Sequence, residues 1–254
     1  HCRNCGAAYV YEAVYMGHLG RYSCPSCGRR RPALDVEAEH VRLDGMSGAE
    51  LTIRSGSSRI ELTLPLPGLY NVYNALAATA LALELGASLD DARAALEGFG
   101  GAFGRVETID VPVPGRSERR PVSILLIKNP AGANEVLRTL RLAGEPVDLW
   151  LALNDRTADG RDVSWIWDAD FELLAGHVGQ VTCSGTRAEE LALRLKYAGV
   201  AASAAVERDL GRSLDAAVAA GEPGRPLYAL PTYTALLELR DLLSDRGLAD
   251  RWAG

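Results

Sequence analysis

Val122-Ser123-Ile124-Leu125-Leu126-Ile127-Lys128-Asn129-Pro130-Ala131-Gly132 decides the architecture of this chain. A nearly unbroken apolar run of this length is a strand buried on both faces, and Lys128-Asn129-Pro130 ends it. The pattern returns downstream: residues 147–153 form a second such strand, 180–183 a third and 227–230 a fourth. Helical periodicity fills the gaps at 134–142, 187–197, 210–220 and 232–246. Strands alternating with helices predict a mostly parallel sheet covered on both sides. Ligands of such sheets sit beyond the carboxyl ends of the strands. Three segments fall there: 128–132, 154–160 and 231–233.

Upstream the pattern changes. Residues 49–54 and 59–64 alternate apolar and polar around Ser55-Gly56-Ser57-Ser58, a hairpin signal. Leu64-Pro65-Leu66-Pro67-Gly68 ends the strands. An Ala- and Leu-rich helix follows over 71–85, closed by Gly86. Ser88 caps a second helix at 89–97, with Asp90 and Asp91 in the first turn, where the dipole favours anions. Residues 98–105 are dense in glycine, and 111–120 read as a surface loop or linker. The expected domains are 1–32, 33–115 and 116–254, with the main boundary near 110–121.

At the amino end stand Cys2-x-x-Cys5 and Cys24-x-x-Cys27, the spacing of a four-thiolate zinc ribbon. Residues 9–15 between them are strand-like and aromatic. Four thiolates satisfy zinc, which leaves His1 and His18 as bystanders and makes the metal structural. Cys183 follows an apolar stretch and reads as a core thiol.

The whole chain has 254 residues, 48% hydrophobic and 24% charged, with a net charge of -6. Its length suggests about two domains, and its composition excludes bulk disorder. The acidic balance argues against a whole-surface grip on nucleic acid or an anionic membrane, and leaves room only for a local basic patch. No apolar run approaches the ~18 residues that would span a bilayer, and no signal peptide is evident. The chain reads as cytoplasmic. It begins with His1 rather than Met, and reads as a fragment with sequence missing upstream.

Three groups of residues could carry chemistry. Asn71 and Asn74 sit at i and i+3 where a helix opens; amides there suit an adenine edge, or Asn71 is simply an N-cap. Lys128, ahead of a helix N-terminus, can meet a phosphate or lie along the surface. Residues 154–168 hold many carboxylates with Trp165 and Trp167, either a working loop or solvated charges around core aromatics. No G-x-x-x-x-G-K-[ST] phosphate loop and no G-x-S-x-G elbow is present in these residues.

Gly68-Leu69-Tyr70-Asn71-Val72-Tyr73-Asn74-Ala75-Leu76-Ala77-Ala78 resembles the adenine-contacting motif of the Mur ligases. Phe103-Gly104-Arg105-Val106-Glu107 is similar to the segment closing their central domain. Residues 128–134 and Asp159-Gly160-Arg161-Asp162-Val163-Ser164-Trp165-Ile166-Trp167-Asp168 resemble one branch, the MurT ligases, which also carry a four-Cys ribbon inserted in the central domain. The resemblance implies an α/β fold: the remainder of a central ATPase domain with the inserted ribbon, then a Rossmann-like domain with a mostly parallel sheet. It implies ATP with Mg, and nucleotide contacts from Asn71, Asn74, Arg105 and Lys128. It also implies a heterodimer with a glutaminase subunit, GatD, and amidation of the D-glutamate α-carboxylate of lipid II. In that branch an aspartate completes the partner's Cys–His pair; Asp162 is the first choice here and Asp168 the second. The family's phosphate loop lies upstream of the ribbon, so these residues alone are expected to be inactive. The chain also departs from many Mur ligases in carrying Leu125 and Leu126 where an Asp precedes the Lys128 position. Two other readings are a stand-alone amide ligase of the folylpolyglutamate synthase type and a zinc-ribbon binding module.

Overall fold

In the computed structural model, which describes residues 1–99, 105–200, 204–222 and 224–250, the upstream alternation is realised as antiparallel pairing. A hairpin of β1 (Val10–Met16) and β2 (Leu19–Ser23) comes first. Next, β3 (Val36–Leu43), β4 (Ala49–Ser55) and β5 (Ser58–Leu64) form a three-stranded sheet in that order. Ile60, Leu62 and Leu64 of β5 are buried between exposed neighbours, the two-residue period of a half-buried strand. Strand β3 escapes the sequence reading. His40 at φ 50 breaks its alternation, and the register with β4 shifts between Glu39 and Arg42. Helix α1 (Leu69–Glu84) starts two residues earlier than expected. Helix α2 (Leu89–Glu97) is fixed by a reciprocal capping box between Ser88 and Asp91.

These elements make up one compact unit: His1–Leu43, Gly48–Pro65 and Leu69–Phe99. The second unit takes Asp44–Ser47, Leu66–Gly68 and the chain from Gly100 onward. Its strands and helices run β6 (Arg105–Pro112), β7 (Arg119–Leu125), α3 (Pro130–Arg141), β8 (Val147–Ala152), β9 (Val178–Ser184), α4 (Ala188–Tyr197), β10 (Ala205–Val206), α5 (Leu210–Ala220), β11 (Leu227–Pro231) and α6 (Tyr233–Asp245). The sheet order is β10-β9-β8-β11-β7-β6, parallel throughout except for β6.

The supposed linker at 111–120 is instead the end of a hairpin. Strand β6 pairs antiparallel with β7, and the Val113 N–H donates to the Glu118 carbonyl at 2.9 Å across the turn. Ile109, Val111 and Val113 are buried in the second unit's core, and Pro112 is tolerated because β6 is an edge strand. The two units therefore divide near residue 100, upstream of the expected boundary.

The parallel strands earn their apolar runs by facing two cores. In β8, Leu149 and Leu151 join Leu137, Leu140, Leu191 and Leu195 on one side of the sheet. Trp150 and Ala152 join Leu214, Leu236 and Leu239 on the other. The Trp150 indole is fully buried and donates to the Ser213 hydroxyl at 2.9 Å, so its one polar atom is satisfied. Cys183 lies in the first of these cores, where burial pushes its thiol up to about 12.

Candidate functional site

The two Cys-x-x-Cys segments fold into matching turns. Gly6 N–H donates to the Cys2 carbonyl at 2.8 Å and Gly28 N–H to that of Cys24 at 3.0 Å. Each glycine sits at positive φ (76° and 73°), a conformation that a side chain would disfavour. The turns aim four sulfurs at one point: all lie within 4.8 Å of one another, with Cys2–Cys27 at 3.6 Å and Cys5–Cys24 at 3.4 Å. None is in a disulfide. Zinc bonds of ~2.3 Å to four tetrahedral sulfurs place neighbouring sulfurs about 3.8 Å apart, so the donor set fits a closed, structural four-thiolate site. The Cys27 N–H also reaches the Cys24 sulfur at 3.5 Å, the outer support a thiolate ligand needs.

In α1, Asn74 Nδ2 donates to Asn71 Oδ1 at 3.3 Å, so the two side-chain amides share one helix face. The helix begins at Leu69, which places Asn71 inside the first turn and removes its capping reading. Asn71 is buried, whereas Asn74 is exposed. The side chain of Arg105 lies outside the described residues, as do Phe103 and Gly104.

The carboxyl edge of the parallel sheet gathers the other expected residues. Lys128 follows β7, exposed, with its Nζ 5.8 Å from the centroid of the Tyr233 ring at the start of α6. Asn129 caps α3 by accepting from Gly132 N–H at 2.8 Å. Beyond β8, Asn154 is almost wholly buried and ties three strand ends together. Its N–H donates to Thr232 Oγ1 at 3.1 Å, its Nδ2 to Thr234 Oγ1 at 3.0 Å, and its Oδ1 accepts from Thr186 N–H at 3.0 Å. Gly185 is required here, since a Cβ would lie 2.8 Å from Asn154 Oδ1 and 2.5 Å from the Leu153 carbonyl oxygen. Asp155 accepts from Thr186 Oγ1 and from Arg187 Nε, each at 2.8 Å, which holds its carboxyl below the usual range. Asp159 accepts from Thr234 N–H at 2.9 Å and from its hydroxyl.

The rest of the loop is pinned by a residue that the sequence reading missed. Arg194 of α4 is buried; its Nε donates to the Ile166 carbonyl at 2.9 Å, and its Nη2 to the Ala169 carbonyl at 2.7 Å and Glu172 at 2.8 Å. The signal was available: Leu191, Arg194 and Leu195 stand at i, i+3 and i+4 on one face, so an arginine occupies a core-facing position. Above it the two tryptophans part. Trp165 packs against the core, whereas Trp167 is 50% exposed, stacked over Arg194 and beside Tyr197. Asp162 is exposed; the Ser164 side chain, and then the Ser164 N–H that donates to Oδ1 at 2.8 Å, keep its carboxyl below the usual range. Asp168 is exposed, and its carboxylate has no hydrogen-bond or ion-pair partner among the described residues.

The three-stranded sheet with its two-Asn helix start, followed by a mostly parallel sheet with a charged carboxyl edge, is the fold of the Mur ligases. A pseudomurein peptide ligase type C from Methanothermus fervidus matches 96% of this chain and 48% of its own, with TM-score 0.67 and 21% identity. MurF from Acinetobacter baumannii matches 87% of this chain and 45% of its own, with TM-score 0.63 and 19% identity. Within that class the chain is similar to the MurT branch. Residues 126–236 match the MurT ligase C-terminal family. The MurT subunit of lipid II isoglutaminyl synthase (glutamine-hydrolyzing) from Streptococcus pneumoniae is 35% identical over 249 residues, 96% of this chain and 53% of that protein. The chain spans about half the length of the curated MurT relatives it matches.

Proposed function

We propose that this chain works in an ATP-dependent ligase that amidates the D-glutamate α-carboxylate of the lipid II stem peptide, with ammonia supplied by a glutaminase subunit of the GatD type. The observation that carries this reading is the 35% identity, sustained across 96% of the chain, to a lipid II isoglutaminyl synthase subunit. The chemistry is coherent. A carboxylate is a poor electrophile, and phosphorylation by ATP gives it a leaving group. Ammonia kept from water stays neutral and nucleophilic.

The roles follow. The first unit is the remainder of the nucleotide-binding domain with the ribbon, its zinc structural and held by Cys2, Cys5, Cys24 and Cys27. Asn71 and Asn74 read the adenine edge, Lys128 and Arg105 meet phosphate, and ATP enters with Mg. Asp162, ionised and exposed on the loop, orients the histidine of the partner's Cys–His pair as a triad carboxylate does; Asp168 is second in line. The heterodimer works at the cytoplasmic face of the membrane that holds its lipid-linked substrate. The test is co-purification of the full-length protein with a glutaminase, followed by amidation of lipid II with glutamine as donor. A complex that forms but transfers no ammonia to lipid II rejects the reading.

A further inference from the structure

The ribbon differs in character from the rest of the chain. Residues 1–32 hold five arginines and a single carboxylate, Glu12, whereas the remaining residues carry 22 basic and 32 acidic side chains. A zinc ion with four thiolates contributes a net charge of about −2, which still leaves the loaded ribbon net positive. Arg3, Arg29 and Arg30 are exposed and have no carboxylate partner among the described residues. Arg31 lies 5.8 Å from the centroid of the Tyr15 ring. The same small module exposes apolar surface that its own two strands do not cover. Val10 is 58% exposed and Val14 62%, with Tyr11 and Tyr15 exposed beside them on β1. Zinc does the folding work that a core would otherwise do, so these side chains are not needed to hold the hairpin together.

Aliphatic and tyrosine side chains flanked by unpaired arginines suit one solvent boundary above others, an anionic lipid surface. Tyrosine prefers the headgroup level, valine the acyl boundary beneath it, and arginine the phosphates above. We infer that the zinc ribbon is a peripheral membrane-docking module that seats the β1–β2 hairpin on anionic phospholipid. The use of such docking, bringing a ligase to a lipid-linked substrate, rests on the function proposed above; the docking itself does not.

The test is sedimentation of the full chain with vesicles that contain no lipid II. One set is phosphatidylcholine alone, the other equal parts phosphatidylcholine and phosphatidylglycerol. Each arginine brought to an anionic surface multiplies partitioning by about fivefold at moderate salt. The chain should therefore favour the anionic vesicles by at least about tenfold, with the preference fading as salt rises. Arg29→Glu/Arg30→Glu should remove it, and Val10→Asp/Val14→Asp should weaken binding even at low salt. Both variants should still hold one zinc, which shows that the ribbon is folded. Equal binding to both vesicle types, no binding to either, or binding that neither double variant changes overturns the proposal. So does retention of the chain by a single-stranded oligonucleotide or an acidic protein bead in place of vesicles. Because no substrate is present, failure here leaves the amidation reading standing, and failure of amidation leaves this result standing.

Discussion

Asn154→Ala tests whether the carboxyl edge of the sheet is held as one piece. The side chain makes two hydrogen bonds, to Thr234 Oγ1 at 3.0 Å and from Thr186 N–H at 3.0 Å. Each contributes about 0.5–1.5 kcal/mol net. Truncation at a site only 1% exposed also opens a small void. The expected loss is about 2–3 kcal/mol. With a urea slope of about 2 kcal/mol/M, the unfolding midpoint of the second unit should fall by roughly 1–1.5 M. All four tryptophans, at positions 150, 165, 167 and 252, lie downstream of residue 100, so tryptophan fluorescence reports that unit selectively. Because Thr234 also holds Asp159, the variant should lose order at 155–160 and, in the complex, glutamine hydrolysis. A midpoint shift below ~0.3 M would refute the idea that Asn154 ties β8, β9 and β11 together at this edge.

Four further outcomes are expected. The purified chain should bind one zinc, and Cys24→Ser should lose it while leaving the tryptophan-monitored urea transition of the second unit unchanged; metal analysis with fluorescence checks both. Asn74→Ala in the full-length protein should weaken ATP binding by about 3–10-fold in calorimetric titration, the value of one hydrogen bond; unchanged affinity returns the pair to a purely structural role. Asp162→Asn should abolish glutamine hydrolysis by the complex while amidation with free ammonia survives, and a loss caused by Asp168→Asn instead moves the role to that residue. Asp155 has its carboxyl lowered by Thr186 and then Arg187, so its stabilising contribution is complete above the ordinary carboxylate range and is lost as pH falls through its lowered value. Acid should therefore loosen the 154–160 loop below about pH 4, a limb that Asp155→Asn flattens in hydrogen exchange.

The strongest sequence signals were those with one physical cause. Four thiols at Cys-x-x-Cys spacing have few uses, and strands without alternation at 122–127 and 147–153 have few homes other than a doubly covered sheet. The capping box at Ser88 was readable because its partners are local. What failed depended on partners far along the chain. Residues 111–120 look like loop because Pro112 and Pro114 break the pattern; only the edge position of β6 makes Pro112 harmless. Nothing near Asn154 announces that its partners are Thr186, Thr232 and Thr234, which lie 32 or more residues away. Arg194 was visible as an arginine on an apolar face, but its targets, the Ile166 and Ala169 carbonyls, required the structure.

The place of β11 also governs how the protein is made. It lies between β8 and β7, and among the described residues it is the last strand of this sheet to be synthesised. Until it arrives, the facing edges of β7 and β8 have no hydrogen-bonding partner. At ~5–20 residues per second, the stretch from residue 125 to 231 takes roughly 5–20 s on the ribosome. For that interval the nascent chain presents two open β edges, each inviting a neighbour on the same message. A pause, truncation or frameshift before β11 should thus yield aggregated rather than partly active protein. Stop codons placed just before and just after β11 would separate insoluble from soluble product.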